Sequence, residues 1–269
     1  MKHKWDSCVN NINFVFLEVK RLTEKLIRKK EGRGRNPKHN VTKYAQLIVL
    51  KEFENHSLRK AEVRLSELVI GERVDHSVIA YWENKPEIVN CLKIIISRAG
   101  RSLDKLCKPE FIFVDATKFS SWKIDEVEVH VANRIAKGTL YLIGTSFCTS
   151  TVSGAVRECL LPGHRVVYAD AWYDDNTSLG VMFKKGYYRK KARKIYNQPV
   201  HRLGYRQRGR EESLFGSLTS EFGNRFKAIK RNPMKVRILA RLVSYQIKLI
   251  IRCASGRIKV QILILRHVP

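Results

Sequence analysis

Three acidic positions are candidates for chemistry because of where they fall. Asp115 directly follows the apolar run Phe111-Ile112-Phe113-Val114, and Asp170 directly follows Val166-Val167-Tyr168-Ala169. Unbroken apolar runs of this length read as strands buried on both faces. A carboxylate at the carboxyl end of such a strand projects into the crevice where open α/β sheets keep their sites. Taken singly, each is also an ordinary turn or capping aspartate. The third acidic element is harder to dismiss. Glu211 and Glu212 are the only acids between Asp175 and Glu221, inside a strongly basic run. On a helix, Arg208, Glu212, Phe215 and Thr219 share one face. A surface Arg208–Glu212 pair contributes roughly a few tenths of a kcal/mol, too little to account for a carboxylate in that setting.

Three carboxylates from two strand ends and a helix suit divalent cations, Mg²⁺ or Mn²⁺, most simply as a pair. Mg²⁺ takes hard oxygen ligands and keeps several waters, so few protein ligands suffice. Two such ions ~3.5–4 Å apart clamp the attacking and leaving oxygens of an in-line phosphoryl displacement. The charge balance points to the partner. The 269 residues carry 52 Lys+Arg against 25 Asp+Glu, a net of +27, which favours a polyanion and says nothing of fold. Residues 1–175 hold 29 basic and 22 acidic side chains, whereas residues 176–269 hold 23 and three. Within the latter, Tyr187-Tyr188-Arg189-Lys190-Lys191-Ala192-Arg193-Lys194 has no acid nearby. Its Arg189, Lys190, Arg193 and Lys194 are expected to track a DNA backbone, with a solvated loop as the plain alternative.

These residues need elements to hold them. From Cys107 onward, short β-rich runs alternate with helical ones. Strands are expected at 111–114, 127–131, 140–143 and 165–169, and helices at 152–160, 176–184, from 208, and from 233 to 252. That order predicts a mixed α/β sheet covered by helices. Residues 1–105 read as helical throughout, with patterns at 8–30, 42–54, 57–68, 75–85 and 86–98. Ser57 caps one helix with Leu58, Ala61, Leu65 and Leu68 inward, and Gly71 falls in the following turn. Asp75 caps a second, with Val78, Ile79 and Trp82 inward, ended by Pro86. Two short helices around a Gly-containing turn over 57–85 make a helix-turn-helix candidate. Its second helix would offer His76, Ser77 and Tyr81 to the major groove, unless it is an ordinary helical hairpin. The run Arg33-Gly34-Arg35-Asn36-Pro37 suits a minor-groove arm or a solvated linker equally. The expected division is an α-helical DNA-binding module over 1–105 and a catalytic α/β domain over 106–269 that includes the C-terminal helix.

At these positions the chain resembles the DDE-type insertion-sequence transposases, whose catalytic domain is RNase H-like. Phe113-Val114-Asp115-Ala116-Thr117 is similar to the family's first strand-borne motif. Tyr168-Ala169-Asp170-Ala171-Trp172-Tyr173-Asp174 is similar to its second. Tyr205, Arg208 and Glu212 match the first three positions of the family's Y-x2-R-x3-E-x6-K signature, and Phe215-Gly216-x-Leu218 matches the segment after the glutamate. The signature lysine, which the family uses to place DNA, falls on Thr219, a departure. Glu211 competes for the third acidic position, but only Glu212 satisfies both the Tyr/Arg and the Phe215-Gly216 spacings. The resemblance covers 108–230 well and 40–86 more loosely. It implies an RNase H-like mixed sheet with flanking helices and a helix-turn-helix-like module before it. It also implies Asp115, Asp170 and Glu212 as catalytic metal ligands, Tyr205 and Arg208 as DNA contacts, and two Mg²⁺ or Mn²⁺ ions. The implied activity is binding of terminal inverted repeats, DNA cleavage and joining to target DNA, in a homo-oligomer formed on double-stranded DNA. Two rivals remain: an RNase H-like nuclease or resolvase without joining, and a non-catalytic DNA-binding descendant.

Composition excludes other classes. Six cysteines lie far apart with no C-x-x-C or Cys/His pair, which rules out the usual zinc spacings and a disulfide scaffold. The opening Met1-Lys2-His3-Lys4-Trp5-Asp6 lacks an apolar signal region. The stretch from Val236 to Leu265 is interrupted by Arg237, Arg241, Lys248, Arg252, Arg257 and Lys259, too charged to span a bilayer. The expectation is no membrane partner and a cytoplasmic location, on the nucleoid when DNA-bound.

Overall fold

The computed structural model describes residues 9–24, 26, 38–107, 111–136, 139–148, 152–159, 166–169, 173, 181–183, 204 and 206–265. They fall into two compact units, Met1–Leu106 with Lys230–Pro269, and Cys107–Ile229. The last helix therefore belongs to the N-terminal unit, not to the catalytic domain in which the sequence placed it.

The first unit is helical among its described residues: α1 (Ile12–Thr23), α2 (Val41–Phe53), α3 (Leu58–Arg64), α4 (Ser66–Ile70), α5 (His76–Glu83), α6 (Pro86–Cys107) and α9 (Arg231–Leu265). Starts are set locally. The Asn11, Asn40, Ser57 and Asp75 side chains accept from the amides of Asn13, Thr42, Lys60 and Ser77, occupying donors that a helix start leaves unpaired. The interior is set by α2, whose residues from Tyr44 to Glu52 are all buried. A helix buried all round is the centre of its bundle.

That burial includes Lys51 and Glu52, and it explains why α9 joins this unit. Lys51 Nζ lies 3.0 Å from Glu83 Oε1 and also pairs with Glu52. From α9, Arg237 reaches Glu83 at 2.8 Å and Arg241 reaches Glu52 at 3.0 Å. One turn apart on the helix, the two arginines close a buried network around two acids, while Val236, Leu239, Ala240, Val243 and Ile247 fill the apolar contacts around them. Charges that look like an exposed basic face in sequence are thus internal.

Over 57–85 the expected pair of helices is present, but the first is split at Leu65 into α3 and α4. The split changes the inward stripe to Ala61, Leu65, Val69 and Ile70, and Leu68 is left 42% exposed. Gly71, with φ +93°, turns the chain after α4, a conformation that favours glycine. On α5, Ile79 and Trp82 face inward, and Val78, expected inward, is exposed.

The second unit is a mixed sheet flanked by helices. Its strands are β1 (Phe111–Ser121), β2 (Val127–Ala136), β3 (Thr139–Ser146), β4 (Val166–Ala169) and β5 (Val181–Phe183), in the order β3-β2-β1-β4-β5. β1, β2 and β3 form an antiparallel meander, and β4 and β5 run parallel to β1. A short β6 (Arg225–Phe226) pairs the far end of β1. The helix expected at 176–184 is replaced around Val181-Met182-Phe183 by β5, paired residue for residue with Val166-Val167-Tyr168. Three contiguous apolar residues covering the open edge of β4 gain ladder hydrogen bonds that an isolated helical turn cannot match.

Helices lie on both faces. Helix α7 (Val152–Cys159) packs so closely on β3 that a Cβ at Gly144 would meet the Cys159 carbonyl oxygen at 1.9 Å. Helix α8 (Arg210–Phe222) covers the opposite face, where Phe113 and Asp115 of β1 stand beside Asn133 and Val131 of β2.

Candidate functional site

Asp115 sits where the apolar part of β1 ends, half-buried, with Oδ1 accepting from the Ala116 amide at 2.9 Å. The acid brought to it is Glu211. Helix α8 turns Glu211, Leu214 and Leu218 toward the sheet, at spacings of three and four, and leaves Glu212 exposed. The face expected from Arg208, Glu212, Phe215 and Thr219 is off by one residue, because two leucines rather than Phe215 choose the buried stripe. Glu212, the expected third ligand, is therefore not beside Asp115. Glu211 takes that place.

Glu211 is fully buried, and its Oε1 accepts from Asn133 Nδ2 at 3.3 Å. Burial, then the negative charge of Asp115, push its carboxyl well above the usual carboxylate range; the Asn133 bond and the Arg208 charge oppose this without prevailing. With both carboxyls ionised, the contact with Asp115 is repulsive and Glu211 Oε2 has no hydrogen-bond partner. A proton held between the two acids satisfies both, and so does a cation. The residues present thus fit a divalent ion: hard oxygen donors, one of them buried and otherwise unpartnered, held by an amide from the next strand.

The second acid expected here, Asp170, lies outside the described residues. Its predecessor Ala169 on β4 is the register partner of Val114, the predecessor of Asp115. Three residues further on, Tyr173 is buried, with its hydroxyl 2.8 Å from Nδ1 of the equally buried His130 on β2. Burial lowers the His130 pKa, favouring the neutral ring. Burial, reinforced by the Asp115 charge, raises the Tyr173 phenol. Arg208 occupies the short turn Gln207–Gly209 leading into α8, and the Thr219 hydroxyl bonds back to the Phe215 carbonyl at 3.0 Å. Tyr205, Arg189, Lys190, Arg193, Lys194 and the run Arg33–Pro37 lie outside the described residues.

Sequence reasoning missed Asn133 and His130 and ranked Glu211 second. The available signals were a polar pair within the valine-rich run 127–135, and the Glu211-Leu214-Leu218 spacing.

In the helical unit, Ser77 and Tyr81 are exposed on α5. His76 is part-exposed, its Nδ1 3.0 Å from Glu62 Oε2. Glu62, Asp75 and His76 lie close enough together to suggest a cation site. However, Glu62 already accepts from Arg73 at 2.7 Å and from both the ring and the amide of His76, so the cluster neutralises itself. These bonds tie α3 to the start of α5.

No protein-family model, curated protein or solved structure matches the chain. Among the described residues, no helix is long and apolar enough to cross a membrane.

Proposed function

We propose that the protein is a DDE-type transposase, with an RNase H-like domain that cleaves and joins DNA and a helical unit that reads its element's terminal repeats. The observation that carries this is the Asp115–Glu211 pair at the carboxyl end of β1, two carboxyls drawn together at a cost that only a proton or a cation relieves. The strand order, three antiparallel strands followed by two parallel ones, supports an RNase H-like sheet. Asp115 and Glu211, with Asp170 contributed from the end of β4, would hold Mg²⁺ or Mn²⁺, two ions in all. Such ions supply the Lewis acidity that activates water or a 3′-hydroxyl and neutralises charge developing on the phosphate. Asn133 orients Glu211, which would serve as a ligand in its ionised form, and Arg208 contributes positive charge at the start of α8. The remaining work is positioning of DNA as a homo-oligomer on its double-stranded substrate.

The test uses a plasmid carrying the DNA that flanks the coding region, incubated with full-length protein and Mg²⁺ or Mn²⁺. The expected result is cleavage at the repeat ends and strand-joined products, both absent in Asp115→Asn and Glu211→Gln. Absence of any metal-dependent cleavage by the wild type overturns the proposal. A second reading, a nuclease without joining, draws on Thr219, whose hydroxyl is spent on its own helix where the family places a DNA-holding lysine. Cleavage without joined products would select it.

A further inference from the structure

Several polar groups on and beside α5 are engaged within the unit. His76 Nδ1 is committed to Glu62, and the Ser77 amide to the Asp75 carboxylate. Glu83 points inward to Lys51 and Arg237. Asn84 donates to the Ala80 carbonyl at 2.8 Å. Lys85 holds its ammonium 4.3 Å from the Tyr81 ring centroid. Two residues offer open apolar surface: Val78, 37% exposed, and Tyr81, 55% exposed, three residues apart on one face.

An exposed apolar pair on a helix fits either a protein groove or a base edge, and charge decides between them. The sequence of this unit carries 32 Lys+Arg against 13 Asp+Glu, an excess that favours a polyanion. The apolar feature a major groove offers is the C5-methyl of thymine, while the other base-edge groups there are hydrogen-bond donors and acceptors. An exposed apolar pair on one helix face is suited to the methyl rather than to those groups.

We propose that α5 recognises pyrimidine C5-methyl groups, those of thymine, in the major groove of duplex DNA, with Val78 and Tyr81 as the specificity-determining contacts. This rests on the reading of residues 57–85 as a DNA-binding helix-turn-helix. It also reassigns the face, because Val78 replaces His76 as a base contact and Ser77 serves its own helix start.

The test begins with selection of tight-binding sequences from a random duplex library by the full-length protein. The enriched pool is then rebuilt with deoxyuridine in place of thymidine, which removes only the methyl groups. Wild-type affinity should fall about fourfold for each methyl contacted, the equivalent of one buried carbon. Val78→Ala and Tyr81→Ala, both at exposed positions, should bind the thymidine and deoxyuridine pools alike. In a third pool, 5-methylcytosine replaces cytosine in the deoxyuridine background. A gain there that needs Val78, without a thymine effect, moves the methyl to methylcytosine and overturns the assignment to thymine. Equal affinity of the wild type for all three pools overturns methyl recognition altogether. Failure to enrich any duplex sequence overturns the helix-turn-helix reading itself.

Discussion

Two buried glutamates, one in each unit, have opposite company. Glu52 in the helical unit is surrounded by Lys51, Arg241 and Arg237. Glu211 in the sheet unit faces another acid, Asp115, with one amide and one more distant cation in support. Burial alone would raise both carboxyls; at Glu52 the three cations outweigh it and hold the group below its ordinary value, and at Glu211 nothing does. A buried charge that is paired and hydrogen-bonded belongs to the scaffold. One pushed toward neutrality by a like-charged neighbour at a strand end is the kind of group that functional sites collect. The same residue type at similar depth thus closes an ion-pair network in one unit and meets a like charge in the other.

The largest expected effect is on chemistry. Asp115→Asn and Glu211→Gln should each lower metal-dependent DNA cleavage by more than about a hundredfold, beyond the loss usual for a group that only supports a ligand. Glu212→Gln should stay within about twofold. Plasmid-nicking rates check this, and full activity in Glu211→Gln together with inactivity in Glu212→Gln would return the role to the exposed residue.

The next effect is on stability and has opposite signs in the two units. Removing one partner of a buried ion pair costs about 3–5 kcal/mol, so Arg241→Ala and Glu52→Ala should unfold at markedly lower urea concentration. Glu211→Gln should instead be neutral or stabilising at pH 8, because it removes a carboxyl whose ionisation the fold opposes. Equal destabilisation by Glu52→Gln and Glu211→Gln would erase the contrast.

Their pH dependences follow. Glu52, with its lowered folded pKa, contributes stability above the unfolded carboxyl pKa of about 4.3, lost as pH falls through the folded value. Glu211, with its raised folded pKa, contributes stability below that unfolded pKa, lost as pH rises through the folded value. A cation must displace the Glu211 proton, so Mn²⁺ affinity should rise up to about tenfold per pH unit until that proton is gone. Calorimetry in two buffers of different ionisation enthalpy reads the released proton directly, and pH-independent affinity with no release would exclude Glu211 as a ligand.

The smallest effect concerns helix starts. In the helical unit α1, α2, α3 and α5 start on side-chain caps, whereas α8 begins at Gly209 with no side-chain cap. Ser57→Ala should cost about 1 kcal/mol, measured by thermal unfolding. Gly209→Ser should change stability by less than that, since only a few tenths separate these residues as caps.

What could be read from the sequence was what neighbours in the chain decide. Ser57 and Asp75 announce their helices because a cap bonds an amide two or three residues on. Phe111–Val114 and Val166–Ala169 announce buried strands because unbroken apolar runs have no solvent face. The charge excess needs no structure at all. Tertiary contact decided the rest. Arg237 and Arg241 look like surface charge until Glu52 and Glu83, far away in sequence, claim them and carry α9 into the first unit. Val181–Phe183 is a strand only because β4 offers an edge. Glu211 and Glu212 are adjacent and chemically identical; a helix separates their directions by about 100° per residue, and only the packing of Leu214 and Leu218 on the sheet determines which of them meets Asp115.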